Sequence, residues 1–211
     1  MISNYFKFFL ILFLFIFSNE VKSKTNENIK FRVSELSNYF SAVIAYDNQE
    51  NEHALKYFKS SKNLINKHDE YLRKYIFSLV LNQNVNRAIQ EIKFSENKKN
   101  SNFFESYLLL FLDSIKKKDY KKSNLYLNEI SNFKEQGTFQ QVIYETLRTY
   151  LFAFKEKELI SEKSNFGNLT IINEAFIKCY LDDPKTIVYF ENLLNSSSAD
   201  YSRYLYFYTS Y

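Results

Sequence analysis

Two stretches of this sequence follow one plan at a fixed distance. Residues 41–58 (SAVIAYDNQENEHALKYF) and 75–92 (YIFSLVLNQNVNRAIQEI) each contain an apolar segment, a polar turn and a second segment. The second segment opens on a small residue with a bulky apolar residue four positions later. These pairs are Ala54/Phe58 and Ala88/Ile92, and the two alanines are 34 residues apart. Ser123/Leu127 repeats the pair 35 residues after Ala88, and Thr186/Phe190 repeats it again. Constant spacing in this range marks an array of helix pairs, in which no unit buries its apolar flank alone. The chain has 211 residues but only 2 Gly and 1 Pro. Turn-rich β architectures use far more of both, so the chain is read as all-α.

Taken in order, the pairs are expected at 31–47 with 51–66, 69–81 with 85–94, and 102–117 with 120–131. The polar turns DNQEN, NQN and KKKDY separate the two helices of each pair. The apolar run FFESYLLLFL is only ten residues long and contains Glu105, so it reads as a buried helix and not as a membrane span. The array then loses its regularity. One helix is expected at 139–154, after Gly137 as a breaker, and a longer connection or a short distorted helix follows to residue 168. Regular order returns at 169–181. A helix is then expected to start at Pro184, with Asp183 as its N-cap, and to run to Asn195. A last helix is expected from 199 to 211. The domain plan is therefore 1–23, a signal segment; 24–34, a polar leader; 35–131, three helix pairs; 132–168, an irregular helical part; and 169–211, further helices of the same kind.

The first 23 residues read differently. Lys7 precedes ten unbroken apolar residues, Phe8 to Phe17, and small or short residues follow, with Val21 and Ser23 at the −3 and −1 positions. This is the pattern of a secretory signal cleaved after Ser23. It implies export across the inner membrane to the periplasm. A retained segment would instead anchor the chain in that membrane, facing the periplasm.

The residues 54, 88, 123 and 186, small in each unit, and their bulky partners 58, 92, 127 and 190 resemble the tetratricopeptide repeat (TPR). Counting the first repeat from Glu35, Ala42 falls on the family's small residue of the first (A) helix, and Ala54 on the alanine of the second (B) helix. The pattern departs at Asn38, where the family has a large aromatic. It departs also at Ile76 and Phe111, which replace the small A-helix residue, and in the missing closing proline. The resemblance covers residues 35–131, and 169–211 more loosely. It implies a right-handed α-solenoid of stacked antiparallel pairs, with the A-helices lining a concave side.

The resemblance also implies where a partner would sit. The family's groove positions fall on Tyr39, Val43 and Tyr46 in the first unit, Glu70, Arg73, Phe77 and Val80 in the second, and Glu105, Leu108 and Leu112 in the third. Such a groove is aromatic and aliphatic with a few charges, which suits a protein or peptide segment. Tyr39 and Val43 occupy two places where a carboxylate-gripping clamp needs basic or amide residues, so that mode is not expected.

Other chemistry finds little support in the residues. His53 and His68 have no Cys, His or paired acid at metal spacing and read as solvated helix-end histidines. Cys179, the only cysteine, reads as a buried thiol in an apolar helix. No phosphate loop, nucleophile elbow or zinc-protease motif occurs, so no enzyme activity and no cofactor are expected. A net charge of +4 is weak for a nucleic-acid binder. Lys116, Lys117, Lys118, Lys121 and Lys122 form the one basic cluster; it reads as a solvated turn or, alternatively, as a contact to anionic lipid headgroups. The apolar last helix, with no polar cap after it, raises self-association through the C-terminus as a further possibility.

Overall fold

A computed structural model describes residues 32–95, 101–135, 137–161, 164–195 and 200–210. Among them every regular element is helical and no strand occurs. The helices are α1 (Val33–Asp47), α2 (Asn51–Ser60), α3 (Asp69–Leu81), α4 (Val85–Ser95), α5 (Phe104–Lys116), α6 (Tyr120–Ser131), α7 (Phe139–Glu156), α8 (Asn168–Tyr180), α9 (Thr186–Leu194) and α10 (Leu205–Ser210). Single 3₁₀ turns lie at Lys62–Leu64 and Ser202–Tyr204. The signal segment and most of the leader lie outside the described residues. Arg32 already caps α1, and Val33 opens it.

The spacing in the sequence has a direct packing counterpart. Ala54, Ala88, Ser123 and Thr186 are all fully buried, and their partners Phe58, Ile92, Leu127 and Phe190 are buried beside them. On the preceding helices Ala42, Ile76 and Phe111 are buried twelve residues before Ala54, Ala88 and Ser123, and Ala175 eleven before Thr186. Where two helices cross closely, one side chain must be small and its neighbour must fill the gap.

The turns repeat as well. After α1, the Glu50 N–H donates to the Ala45 carbonyl (2.8 Å) and the Gln49 N–H to Tyr46 (3.0 Å). The same two bonds close α3 (Asn84 to Leu79, Gln83 to Val80), α5 (Asp119 to Ser114, Lys118 to Ile115) and α8 (Asp183 to Lys178, Asp182 to Cys179). This is the Schellman closure, which places one residue in the left-handed region and usually gives that place to glycine. Here Gln49, Gln83, Lys118 and Asp182 hold it, at φ of +63°, +60°, +56° and +52°.

Several helix ends differ from the sequence expectation. The helix expected to Asn66 stops at Ser60, where the Ser61 N–H is shared between the Tyr57 and Phe58 carbonyls (3.1 Å each). The chain tightens into the 3₁₀ turn there and drives Leu64 into the core. Pro184 does not open α9. Asp183 accepts from the Lys185 N–H (2.8 Å) and from Thr186 N–H (2.9 Å), forming a tight turn that delays α9 to Thr186. The last helix is shorter than expected, with a 3₁₀ turn ahead of Leu205. At α7 the Thr138 side chain accepts from the Gln141 N–H (3.3 Å), while the Gln141 side chain accepts from Gly137 N–H (2.7 Å). That reciprocal exchange, close to a capping box, fixes where α7 begins.

Each helix packs mainly on its neighbours in the chain. The apolar residues gather into three clusters. The first joins α1 to α5 around Phe58, Tyr71, Tyr75 and Leu79; the second joins α5, α6 and α7 around Phe111, Leu127 and Ile130; the third joins α8, α9 and the C-terminal turns around Ala175, Phe190 and Tyr201. No helix among the described residues is long and apolar enough to cross a membrane. The apolar stretch in α5 buries Phe104, Leu110 and Phe111 instead.

Candidate functional site

Polar and ring contacts link the first helices of the three N-terminal pairs. Arg73 on α3 pairs with Glu105 on α5 at 2.9 Å. Lys74 on α3 sits 5.4 Å above the Tyr46 ring on α1. Between these contacts Tyr46, Glu70, Arg73, Lys74 and Phe77 line one open concavity of about 270 Å³. Tyr46 and Phe77 supply half-buried aromatic surface, and three charged groups rim it. The site therefore joins two aromatic side chains to charges of both signs.

Tyr39 does not belong to this surface. It is buried in the first cluster, its ring stacked on Tyr71 at 5.7 Å and lying 4.6 Å from the His68 imidazole. Its hydroxyl meets His68 Nδ1 at 3.3 Å, which satisfies the phenol where burial would otherwise penalise it. Burial, and then the nearby Glu70 charge, push the Tyr39 hydroxyl above its ordinary pKa. His68 is correspondingly half-buried and bonded, not a solvated helix-end residue.

The other expected groove residues scatter. Val43 and Val80 are half-buried against the first cluster. Leu108 is half-buried against the second. Leu112 is exposed, but it lines a different concavity of about 380 Å³, shared with Val85 and Ile89 of α4 and with Leu109, Lys116 and Lys117 of α5. Of the ten groove positions, Tyr46, Glu70, Arg73 and Phe77 come together in one depression. Lys74, Val85, Ile89 and Leu109 were missed. Lys74 adjoins Arg73 and was legible as a second cation. Val85 and Ile89 sit on a B-helix, where an A-helix reading does not look.

Within the lining of the second concavity, Asp113 accepts from Lys93 across the α4–α5 contact and from Lys117 one turn on, each at 2.7 Å. Partial burial works to raise the Asp113 carboxyl, but the hydrogen bonds from Lys117 and Lys93 outweigh it and hold the carboxyl below its ordinary range.

Outside these surfaces the reactive side chains are occupied or isolated. His53 is exposed and pairs with Glu50 at 3.2 Å. Cys179 is half-buried and free, and burial followed by the Asp182 charge pushes its thiol pKa up. Among the described residues no three His, Cys, Asp or Glu side chains gather into a metal-binding group. Compared with family models, curated proteins and solved structures, the chain finds no match in any of the three.

Proposed function

We propose that the chain is a TPR-like scaffold: a right-handed solenoid of stacked helix pairs whose A-helix face holds a segment of a protein partner. The observation that carries this reading is the shared concavity in which Tyr46 of α1 meets Arg73 and Phe77 of α3. Aromatic floors with fixed charges at the rim suit a peptide segment, since the rings supply contact area and the charges set register. The buried small residues at 54, 88, 123 and 186 support the stacked-pair architecture. The signal-like N-terminus supports a working place in the periplasm, and a mature chain that starts at Lys24 by mass spectrometry would agree with it. A retained Met1 would favour the membrane-anchored alternative.

A photo-crosslinking residue tests the groove in the native cell envelope. Placed at Phe77, it should give a discrete adduct with one partner. Placed at the exposed Lys59 on α2, it should give none. Tyr46→Ser should abolish the Phe77 adduct. Equal labelling from both positions, or no adduct at Phe77, counts against the scaffold reading.

A further inference from the structure

The concavity between α4 and α5 has a chemistry of its own. Its apolar lining is Val85, Ile89, Leu109 and Leu112, and Asn86, Asp113, Lys116 and Lys117 line it with polar groups. Val85 and Leu112 keep 39% and 48% of their surface in water, so the apolar floor is accessible. About 380 Å³ is enough for one or two large side chains. The charge at the rim is unbalanced. The one local carboxylate, Asp113, is bonded to Lys93 and Lys117. Lys116 has no ion-pair partner among the described residues, and the exposed Lys118 and Lys121 follow it around the turn.

We propose that this concavity takes an acidic, apolar segment of the protein partner, with its apolar side chains on the Val85–Leu112 floor and a carboxylate on Lys116. A basic segment would meet like charge here, and a neutral one would leave Lys116 unanswered. Leu112 is the ninth residue of α5, as Phe77 is of α3. The inference rests on the scaffold reading and adds to it the charge of the ligand.

The probe is a labelled helical peptide of about 16 residues, with leucines along one face and glutamates flanking them. Its twin carries lysine for every glutamate. Fluorescence anisotropy with the full chain reads both. The acidic peptide should bind at least ~10-fold more tightly than its twin. Lys116→Glu and Leu112→Ser should each weaken it by at least ~5-fold, with helix content unchanged by circular dichroism, while Lys116→Arg retains binding. Equal binding of the twins overturns the inference, as does indifference to both weakening substitutions. If Phe77→Ser alone removes binding, the segment lies in the Tyr46–Phe77 depression; the inference falls and the scaffold reading stands. If neither peptide binds, the inference falls, and the Phe77 crosslink still decides the scaffold reading by itself. Binding only to phosphatidylglycerol vesicles, lost in Lys116→Glu, replaces the peptide with a lipid surface and also overturns it.

Discussion

Ser114 Oγ and Ser123 Oγ lie 2.9 Å apart in the buried crossing of α5 and α6. At the same positions the first pair has Ala45 and Ala54, and the second has Leu79 and Ala88. The third unit thus meets the small-residue requirement of the second helix, Ala54 and Ala88 elsewhere, with a serine whose hydroxyl contacts the facing helix. Ser114 also reaches the Phe111 carbonyl (2.7 Å) and Ser123 the Asp119 carbonyl (2.9 Å), so each hydroxyl keeps a partner if the other is lost. Ser123→Ala should therefore cost only ~0.5–1.5 kcal/mol, and Ser114→Ala/Ser123→Ala no more than that. Ser123→Leu should cost ~1–3 kcal/mol or more by overpacking, as should Ala54→Leu and Ala88→Leu. Urea unfolding of the set measures this, and tolerance of leucine at all three sites would contradict the close crossing.

The non-glycine turns give a prediction of opposite sign. Gln49 and Gln83 hold left-handed backbone that costs a side-chain-bearing residue ~1–2 kcal/mol. Glycine relieves that cost while adding chain entropy to the unfolded state. Gln49→Gly and Gln83→Gly should each stabilise by about 0.5–1 kcal/mol, seen as a higher Tm. Gln49→Val should lower it, because a β-branched side chain fits that region worst.

Tyr39 gives a test of its place in the core. Tyr39→Ala removes a buried ring packed on Phe58, His68 and Tyr71, and should cost ~3–5 kcal/mol. Tyr39→Phe loses only the hydroxyl contact to His68 and should cost ~0.5–1.5 kcal/mol. A surface groove residue would show little change in either, so chemical denaturation separates the two placements.

Asp113 gives a prediction in pH. Its folded carboxyl titrates below the unfolded one, so its ion pairs contribute stability above the unfolded pKa. That contribution falls away as pH drops through the lower, folded pKa. Asp113→Asn should therefore be less stable than the parent at neutral pH, and the two should converge in strong acid. A stability gap that stayed constant down to pH 2 would contradict the bridging role.

How far the sequence carried can be seen residue by residue. The small-then-bulky pairs were legible because helix crossings impose a steric rule that few side chains meet, and all four small residues are buried. Turn positions were legible from polar runs, but their left-handed residues were not, because glutamine and lysine carry no mark of that conformation. Tyr39 was misplaced because its burial depends on His68, 29 residues away. Of the groove positions, Tyr46, Glu70, Arg73 and Phe77 share one depression. Leu112 was found, but its neighbours Val85 and Ile89 were not, because a depression between two helices appears only when both are placed. Polar residues ahead of α9 misled in the other direction: Asp183 does cap, yet it shapes a tight turn before the helix instead of its first residue.

The three apolar clusters are not equally joined. The first two meet around Tyr107 and Tyr126. Among the described residues the third shares none with them; α7 and α8 touch through the Phe154–Tyr180 ring pair and the Tyr150–Asn173 and Asn173–Thr146 hydrogen bonds, and the link between them is non-helical at residues 157–161 and 164–167. Heat should therefore part the molecule at this seam first. Amide exchange would show α8–α10 opening together while α1–α6 stay closed, and a protease would cut the link long before it reached the groove.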